Sequence, residues 1–300
     1  MKPKFLGMLT ALISVSTVSI AQEFTDKISR ELTFEKPTSN TVMIFNVNGA
    51  ITVLGYEGSK VIVEATRTIK GKTDRRLELG KEAVRLGVQD RADTILLYTE
   101  GTCSMFGQQR SRRNNNGNRK TNYWGYLWND CENRNNCKEE YDYVMDYVVR
   151  VPSGVNLYAS TINNGDIKVE NVTGTVFIDN INGSISLQNI AGATDASTIN
   201  GTVDLTYTRN PPRDSRYYSL NGDINAFFRK GLTAMLSFES FNGDLYTNIA
   251  QVENIPITVE KRPQEKGIKY KVLANRYKIG NGGVNLDFET FNGNVYLKEQ

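Results

Sequence analysis

Histidine is absent from all 300 residues. That removes the commonest general base near neutral pH and the commonest metal ligand, so neither a His-based triad nor a His-ligated metal centre is open to this chain. Cysteine is nearly absent as well, with Cys103, Cys131 and Cys137 the only three. An odd number allows one disulfide plus one free or intermolecular thiol, and the pairing is open. A zinc site on these three would need a fourth ligand that is not histidine, so no metal and no cofactor are expected. Charge of one sign is lacking too: 36 Lys and Arg stand against 33 Asp and Glu. A near-neutral chain has no global pull towards nucleic acid or anionic membrane, and no nucleic-acid partner is expected.

Long apolar runs are confined to the first residues, MKPKFLGMLTALISVSTVSIAQ. Lys2 and Lys4, an apolar stretch from Phe5 to Ile20, and Ser19-Ile20-Ala21 before Gln22 read as a secretory signal peptide over 1–21. The stretch is short and diluted by Ser and Thr, which favours a cleaved signal over a permanent span. No cysteine follows the cut, so no lipid anchor is expected there. Cleavage removes two lysines and lowers the formal charge from +3 to +1. The expected destination is the periplasm, the outer-membrane surface or the medium, with no integral membrane segment left.

Seven prolines, abundant Val, Ile, Thr and Tyr, and short apolar stretches point to many short strands. The clearest signal begins at Val172, where VTGTVFIDN, INGSISLQN, IAGATDAST and INGTVDLTY follow one another with a nine-residue period. Gly174, Gly183, Gly192 and Gly201 hold one phase. Ile162, Val172, Ile181, Ile190 and Ile199 hold another. Each unit is one strand and one turn. Asn-Gly recurs at Asn164, Asn182, Asn200, Asn221, Asn242 and Asn292, first at intervals of 18 and then of 21 residues. That spacing makes 18 to 21 residues one turn of two half-rungs.

Strict register argues against a hairpin meander, in which strand and loop lengths drift independently. Residues 22–300 are therefore expected to form one all-β domain, a single-stranded parallel β-helix (β solenoid). We expect it to be right-handed, although the period does not fix the hand. Gly adopts the positive φ of the sharp corners, and Asn tolerates it better than other residues bearing a side chain. Val, Ile and Leu would fill the interior, with Phe227, Phe238, Phe241, Phe288 and Phe291 replacing them in the last rungs. The stretch Phe291 to Leu297 would close the array. Calcium is not expected, because INGSISLQN lacks the acid of the Gly-Gly-x-Gly-x-Asp nonapeptide.

Ahead of the repeats, Phe24 to Phe34, Val42 to Val47, Val61 to Ala65, Ile95 to Tyr98 and Tyr141 to Val151 read as strands. The charged stretch from Thr73 to Leu86 reads as a short helix or ordered loop on Leu77, Ala83 and Val84, weakened by Gly80. Residues 101–140 differ in kind. They hold all three cysteines and both tryptophans, and from Gly107 to Lys120 there are five basic residues and no acid. Such a run cannot bury a core. Arg110, Arg112 and Arg113, followed by Tyr123, Trp124, Tyr126 and Trp128, are the candidate binding residues. Flat rings can stack on sugars or on a partner's aromatic groups, and guanidinium groups can fork onto carboxylate or phosphate. The competing reading is a flap pinned by a disulfide over one side of the solenoid.

The unit repeated in Thr198-Ile199-Asn200-Gly201, Ser219-Leu220-Asn221-Gly222-Asp223-Ile224, Ser240-Phe241-Asn242-Gly243-Asp244-Leu245 and Thr290-Phe291-Asn292-Gly293-Asn294-Val295 resembles a bacterial family. That family comprises the adhesin-type β-strand-repeat domains of unknown function, akin to the auto-transporter adhesin head group. The resemblance covers roughly Phe45 to the C-terminus. It implies an exported β-helical protein without known catalysis, and it brings no functional residues. The Cys-bearing insertion departs from the pattern.

The most enzyme-like feature is Asp166, Asp223 and Asp244, each directly after Asn-Gly. Were Asp223 and Asp244 on neighbouring rungs, their carboxylates could approach the spacing used in glycoside hydrolysis. The same phase holds Ala50, Ser184, Thr202 and Asn294, which reads instead as a tolerant polar turn position. The function expected is therefore non-catalytic binding of a glycan or a surface protein. The alternatives are a polysaccharide hydrolase or lyase on a β-helix, a fold-level analogy only, and a structural component of the cell envelope.

Overall fold

Apolar and polar residues alternate along most of this chain in runs too short for helices, and those runs become strands that bury one face each. The computed structural model describes residues 22–36, 39–106, 126–128, 139–256, 259–264, 267–272 and 275–300. Residues 1–21, expected from the sequence to be a signal peptide, lie outside them.

The chain opens with β1 (Gln22–Thr33), β2 (Thr41–Phe45), β3 (Ile51–Tyr56) and β4 (Lys60–Gly71). A helix, α1 (Asp74–Ala83), follows, then β5 (Arg85–Asp90), β6 (Thr94–Glu100), β7 (Ser104–Phe106), β8 (Tyr126–Trp128) and β9 (Asp142–Pro152). Thr73 caps the helix, its Oγ1 accepting the Arg76 N–H at 3.4 Å. A Cβ at Gly80 would lie 2.5 Å from Ile69 Cγ2 and 2.9 Å from the Tyr141 ring. The glycine that weakens the helical pattern is thus what lets the helix lie against the sheet.

The repeats supply β10 (Asn156–Thr161), β11 (Ile167–Glu170), β12 (Val176–Asn182), β13 (Ile185–Ile190), β14 (Thr194–Asn200), β15 (Val203–Tyr207), β16 (Ser215–Asn221), β17 (Ile224–Phe228), β18 (Ala234–Asn242) and β19 (Leu245–Thr247). Even-numbered strands of this run lie in one sheet and odd-numbered strands in the other. Ile178 pairs in parallel with Ala196, and Ile185 with Val203, so residues 18 apart stack as the period predicts. The excursion β20 (Val252–Ile255), β21 (Val259–Gln264), β22 (Gly267–Val272) and β23 (Asn275–Ile279) precedes the last pair, β24 (Val284–Asn292) and β25 (Val295–Glu299).

The ten-stranded sheet runs β1-β4-β9-β3-β11-β13-β15-β17-β25-β19, and the eleven-stranded sheet β20-β23-β18-β24-β16-β14-β12-β10-β2-β6-β5. Both are mixed. The expected single parallel stack is corrected accordingly: β1 on β4, β4 on β9, β5 on β6, and β23 on β18 all pair antiparallel. These strands satisfy backbone groups that a purely parallel stack would leave bare at its ends. A second correction concerns order. The pair β24–β25 does not close the array but sits between β16–β17 and β18–β19, parallel to both.

Val42, Ile51, Ile167, Val176, Ile185, Val203, Ile224 and Val295 project inward and are fully buried. Phe238 and Phe288 join them, as expected, beside Tyr207, Tyr217 and Phe228. Phe241 and Phe291 do not: they are 73% and 45% exposed and stack on one another at 4.8 Å. In β18 the inward residues are Ala234, Leu236 and Phe238, so Phe241 falls on the opposite phase. Phe227 also faces outward, beneath the Lys298 ammonium. The single phase of Ile and Val likewise divides by corner. Val172 and Ile190 are buried, whereas Ile181 and Ile199 are each 37% exposed.

Candidate functional site

The Asn-Gly corner is built from columns running along the stack. A Cβ on Gly183 would stand 2.1 Å from the Gly165 carbonyl oxygen, and one on Gly243 1.8 Å from that of Gly293. Close approach of successive turns therefore excludes any side chain there. One residue on, Asp166 Oδ1 accepts the Ser184 N–H at 2.8 Å, and Asp223 Oδ1 accepts the Asn294 N–H at 2.7 Å. Asn294 Oδ1 in turn accepts the Asp244 N–H at 3.0 Å. The rung carrying Asn294 separates Asp223 from Asp244, so the two carboxylates are not on neighbouring rungs. This phase is a column of small acceptors for the next rung's backbone.

Chemistry of another kind lies on the outer face of the eleven-stranded sheet. Leu157 and Ala159 point inward in β10, as do Val176 and Ile178 in β12, so Tyr158 and Phe177 point out. Their rings stack at 6.4 Å, with Phe177 44% exposed. Tyr158 also meets Phe45 at 5.1 Å, and Phe106 covers Phe45 at 4.6 Å and Tyr98 at 4.8 Å. The Tyr158 hydroxyl donates to Asp179 Oδ2 at 2.9 Å.

An open groove of about 1130 Å³ follows this face, lined by Thr41, Met43, Asn156, Tyr158, Phe177 and Arg213. A smaller one of about 330 Å³ continues it past Asp195, Arg216, Asn285 and Asp287, with Phe177 common to both. Arg216 pairs with Glu289 at 3.1 Å and lies 5.5 Å from the Tyr218 ring centre. Half-burial pushes the Asp195 carboxyl above its ordinary range, partly offset by the Arg216 guanidinium and reinforced by Asp179 and Asp287. Backbone donation from Asn285 holds Asp214 below its ordinary range. A ring face flanked by carboxylates, amides and guanidinium groups suits a ligand with one apolar face and many hydroxyls.

The insertion begins on this same face. Phe106, its last described residue before 107–125, is 5% exposed in the ring cluster. β7 pairs antiparallel with β8, placing Phe106 opposite Tyr126 and Ser104 opposite Trp128 in register. Thr102 Oγ1 and the Tyr141 hydroxyl, 2.6 Å apart, tie the two roots together. Burial raises Glu139 at this neck, where its carboxylate accepts the Cys103 N–H at 3.4 Å. Cys103 is buried. Arg110, Arg112, Arg113, Tyr123, Trp124, Cys131 and Cys137 lie outside the described residues.

Tyr158, Phe177, Asp195 and Arg216 were not singled out by the sequence reading. A signal for the rings existed: each is an aromatic residue on the outward phase of a strand whose inward phase is small or aliphatic. Among the described residues, no three His, Cys, Asp or Glu are grouped to hold a metal, and no helix is long and apolar enough to cross a membrane.

No protein family matches the chain, and no curated protein does. Among solved structures, a candidate cell adhesion protein from Clostridium sporogenes aligns with 94% of this chain and 100% of its own, at 10% identity and TM-score 0.38. A candidate adhesin from Bacteroides fragilis aligns over 92% and 97%, at 9% identity and TM-score 0.33.

Proposed function

We propose that this chain is an exported, non-catalytic recognition protein of adhesin type, a β-solenoid whose eleven-stranded face binds a glycan on a cell surface. The observation that carries the reading is the exposed Phe177 ring set in a continuous groove between Tyr158 and the neighbouring Asp195 and Arg216. A sugar's C–H face stacks on the ring while its hydroxyls bond to Asp195, Arg216 and Asn156. Asp179, Asp195, Asp287 and Glu289 outnumber Arg213 and Arg216 around the groove, which favours a neutral or amino-bearing glycan over an anionic one. Residues 22–300 act as one domain, and the Trp, Tyr and Arg side chains of the insertion at 101–140 contribute to binding. Cys103 pairs with Cys131 or Cys137 to pin it.

A glycan array tests this with three versions of the mature chain: wild type, Phe177→Ala, and a deletion of 107–138. Loss of the ring should weaken binding about tenfold or more, the equivalent of about 1.4 kcal/mol. Binding lost in the deletion alone would move the site into the insertion. Failure of the wild type to bind any glycan would overturn the reading and leave a structural role in the envelope.

A further inference from the structure

The rung β24–β25 is out of sequence order, and the way it is held has a consequence for self-association. Gly222 N–H donates to the Asn292 carbonyl at 2.9 Å, and Gly293 N–H to the Asn242 carbonyl at 3.0 Å. The step below uses the same bond, Gly201 N–H to the Asn221 carbonyl at 3.1 Å. The slot therefore recognises the repeated motif and carries no information about which covalent segment fills it. Asn200, Asn221 and Asn242 are evenly spaced at 21 residues, so β18–β19 keeps the interval of its predecessors whether or not the slot is filled.

The inserted rung is also the least firmly held along one column. Ser/Thr hydroxyls at the corner donate to the glycine carbonyl of the preceding rung, Thr198 to Gly183 at 2.9 Å and Ser219 to Gly201 at 2.8 Å. Thr290 reaches Gly222 only at 3.5 Å, and the buried Ser240 Oγ has no partner. Residues 248–283 join β19 to β24, and β23 within this connection pairs antiparallel with β18 and β20, so it must leave β18 before the connection can span to another molecule.

We propose that β24–β25 is an exchangeable rung, and that two copies of this chain associate by trading it. Each copy fills the slot between β16–β17 and β18–β19 of the other. Every backbone bond of the slot is kept in the exchanged dimer, so concentration and the opening barrier set the balance.

The test uses the full chain carrying Phe241→Cys and Phe291→Cys, two outward positions whose rings now stack at 4.8 Å. Unlabelled and ¹⁵N-labelled protein are mixed, incubated over a range of concentrations and oxidised, and the 241–291 cross-linked peptides are weighed. Exchange produces links joining a light peptide to a heavy one in the dimer fraction, rising with concentration, and none in the monomer. Links that stay light–light and heavy–heavy at every concentration overturn the proposal, and absence of any 241–291 link overturns the interleaved order itself. Light scattering on the wild-type chain checks the result without substitutions: a chain that stays monomeric throughout also overturns it.

Discussion

Asn292 Nδ2 donates to Asn221 Oδ1 at 2.9 Å across 71 residues of sequence. The same bond repeats along the corner, from Asn182 to Asn163 at 3.1 Å, Asn200 to Asn182 at 2.9 Å, Asn221 to Asn200 at 3.0 Å and Asn242 to Asn292 at 2.9 Å. Each interior amide both donates and accepts, while Asn242 at the end only donates within the ladder. Parallel strands place identical residues about 4.8 Å apart, the spacing at which one side-chain amide reaches the next. The asparagine is thus retained both for its corner and for its neighbour.

Replacing an interior member breaks two of these bonds and replacing the last breaks one. Asn292→Ala should destabilise the chain by about 1–2 kcal/mol and Asn242→Ala by about half as much, since each net hydrogen bond contributes roughly 0.5–1.5 kcal/mol and exposed amides recover water. Urea unfolding of both variants measures the difference. Midpoints equal to that of the wild type in both variants would show that the ladder contributes nothing to stability.

The glycine columns give a sharper contrast. A Cβ on Gly192 would lie 1.8 Å from the Gly174 carbonyl oxygen, whereas one on Gly154 would meet nothing within 4 Å. Gly192→Ala must push two rungs apart and should cost roughly 1–3 kcal/mol or more, the range seen for overpacking. Gly154→Ala should be neutral or slightly stabilising through the unfolded chain. Thermal unfolding of the pair decides the matter, and a Gly192→Ala melt at the wild-type temperature would contradict the close approach.

These columns also mark where the sequence was legible. A nine-residue phase reports strand, corner and the residue that stacks 18 positions away, because all three follow from local pattern. Stacking order does not follow, since the Gly222 N–H donates to the Asn292 carbonyl as readily as it would to that of Asn242. Phe241 and Phe291 were misplaced because apolar character was read without the parity of Ala234, Leu236 and Phe238. At the first corner the ladder uses Asn163, leaving Asn164 at φ 57° as an added residue, which the Asn-Gly dipeptide conceals. Tyr158 and Phe177 escaped notice because an outward ring has no motif; it becomes visible only once the inward phase of its strand is known.

Buried tyrosines set an alkaline limit. Burial pushes Tyr143 and Tyr207 up to about 12, and Tyr147 and Tyr217 above their ordinary value, with Tyr207 and Tyr217 sharing a hydroxyl contact of 2.8 Å. The folded chain therefore holds protons that the unfolded chain releases near pH 10. The stability from each group is complete below about pH 10 and is lost as pH rises towards 12, roughly 2–3 kcal/mol for Tyr207. Phenolate absorbance should show these tyrosines ionising only as the chain unfolds. Smooth titration of all 15 tyrosines near pH 10 in folded protein would refute the prediction.

Asp223 separates scaffold from catalysis most directly. Its Oδ1 accepts the Asn294 N–H at 2.7 Å, a bond that any small acceptor in this phase could make, as Asn294 itself does for Asp244. Asp223→Ala strands that amide in a partly buried corner and should cost about 1 kcal/mol, a melting shift of about 2–4 °C in a domain of this size. Asp223→Asn keeps a carbonyl oxygen in place and should recover most of the loss. Neither change touches the face bearing Phe177, so glycan affinity should equal that of the wild type. A catalytic carboxylate would behave in the opposite way, because Asn would abolish turnover while leaving the fold intact. Polysaccharide cleavage by the wild type that disappears in Asp223→Asn would therefore return this residue to chemistry. Parallel loss and recovery of stability alone fixes it as part of the stack.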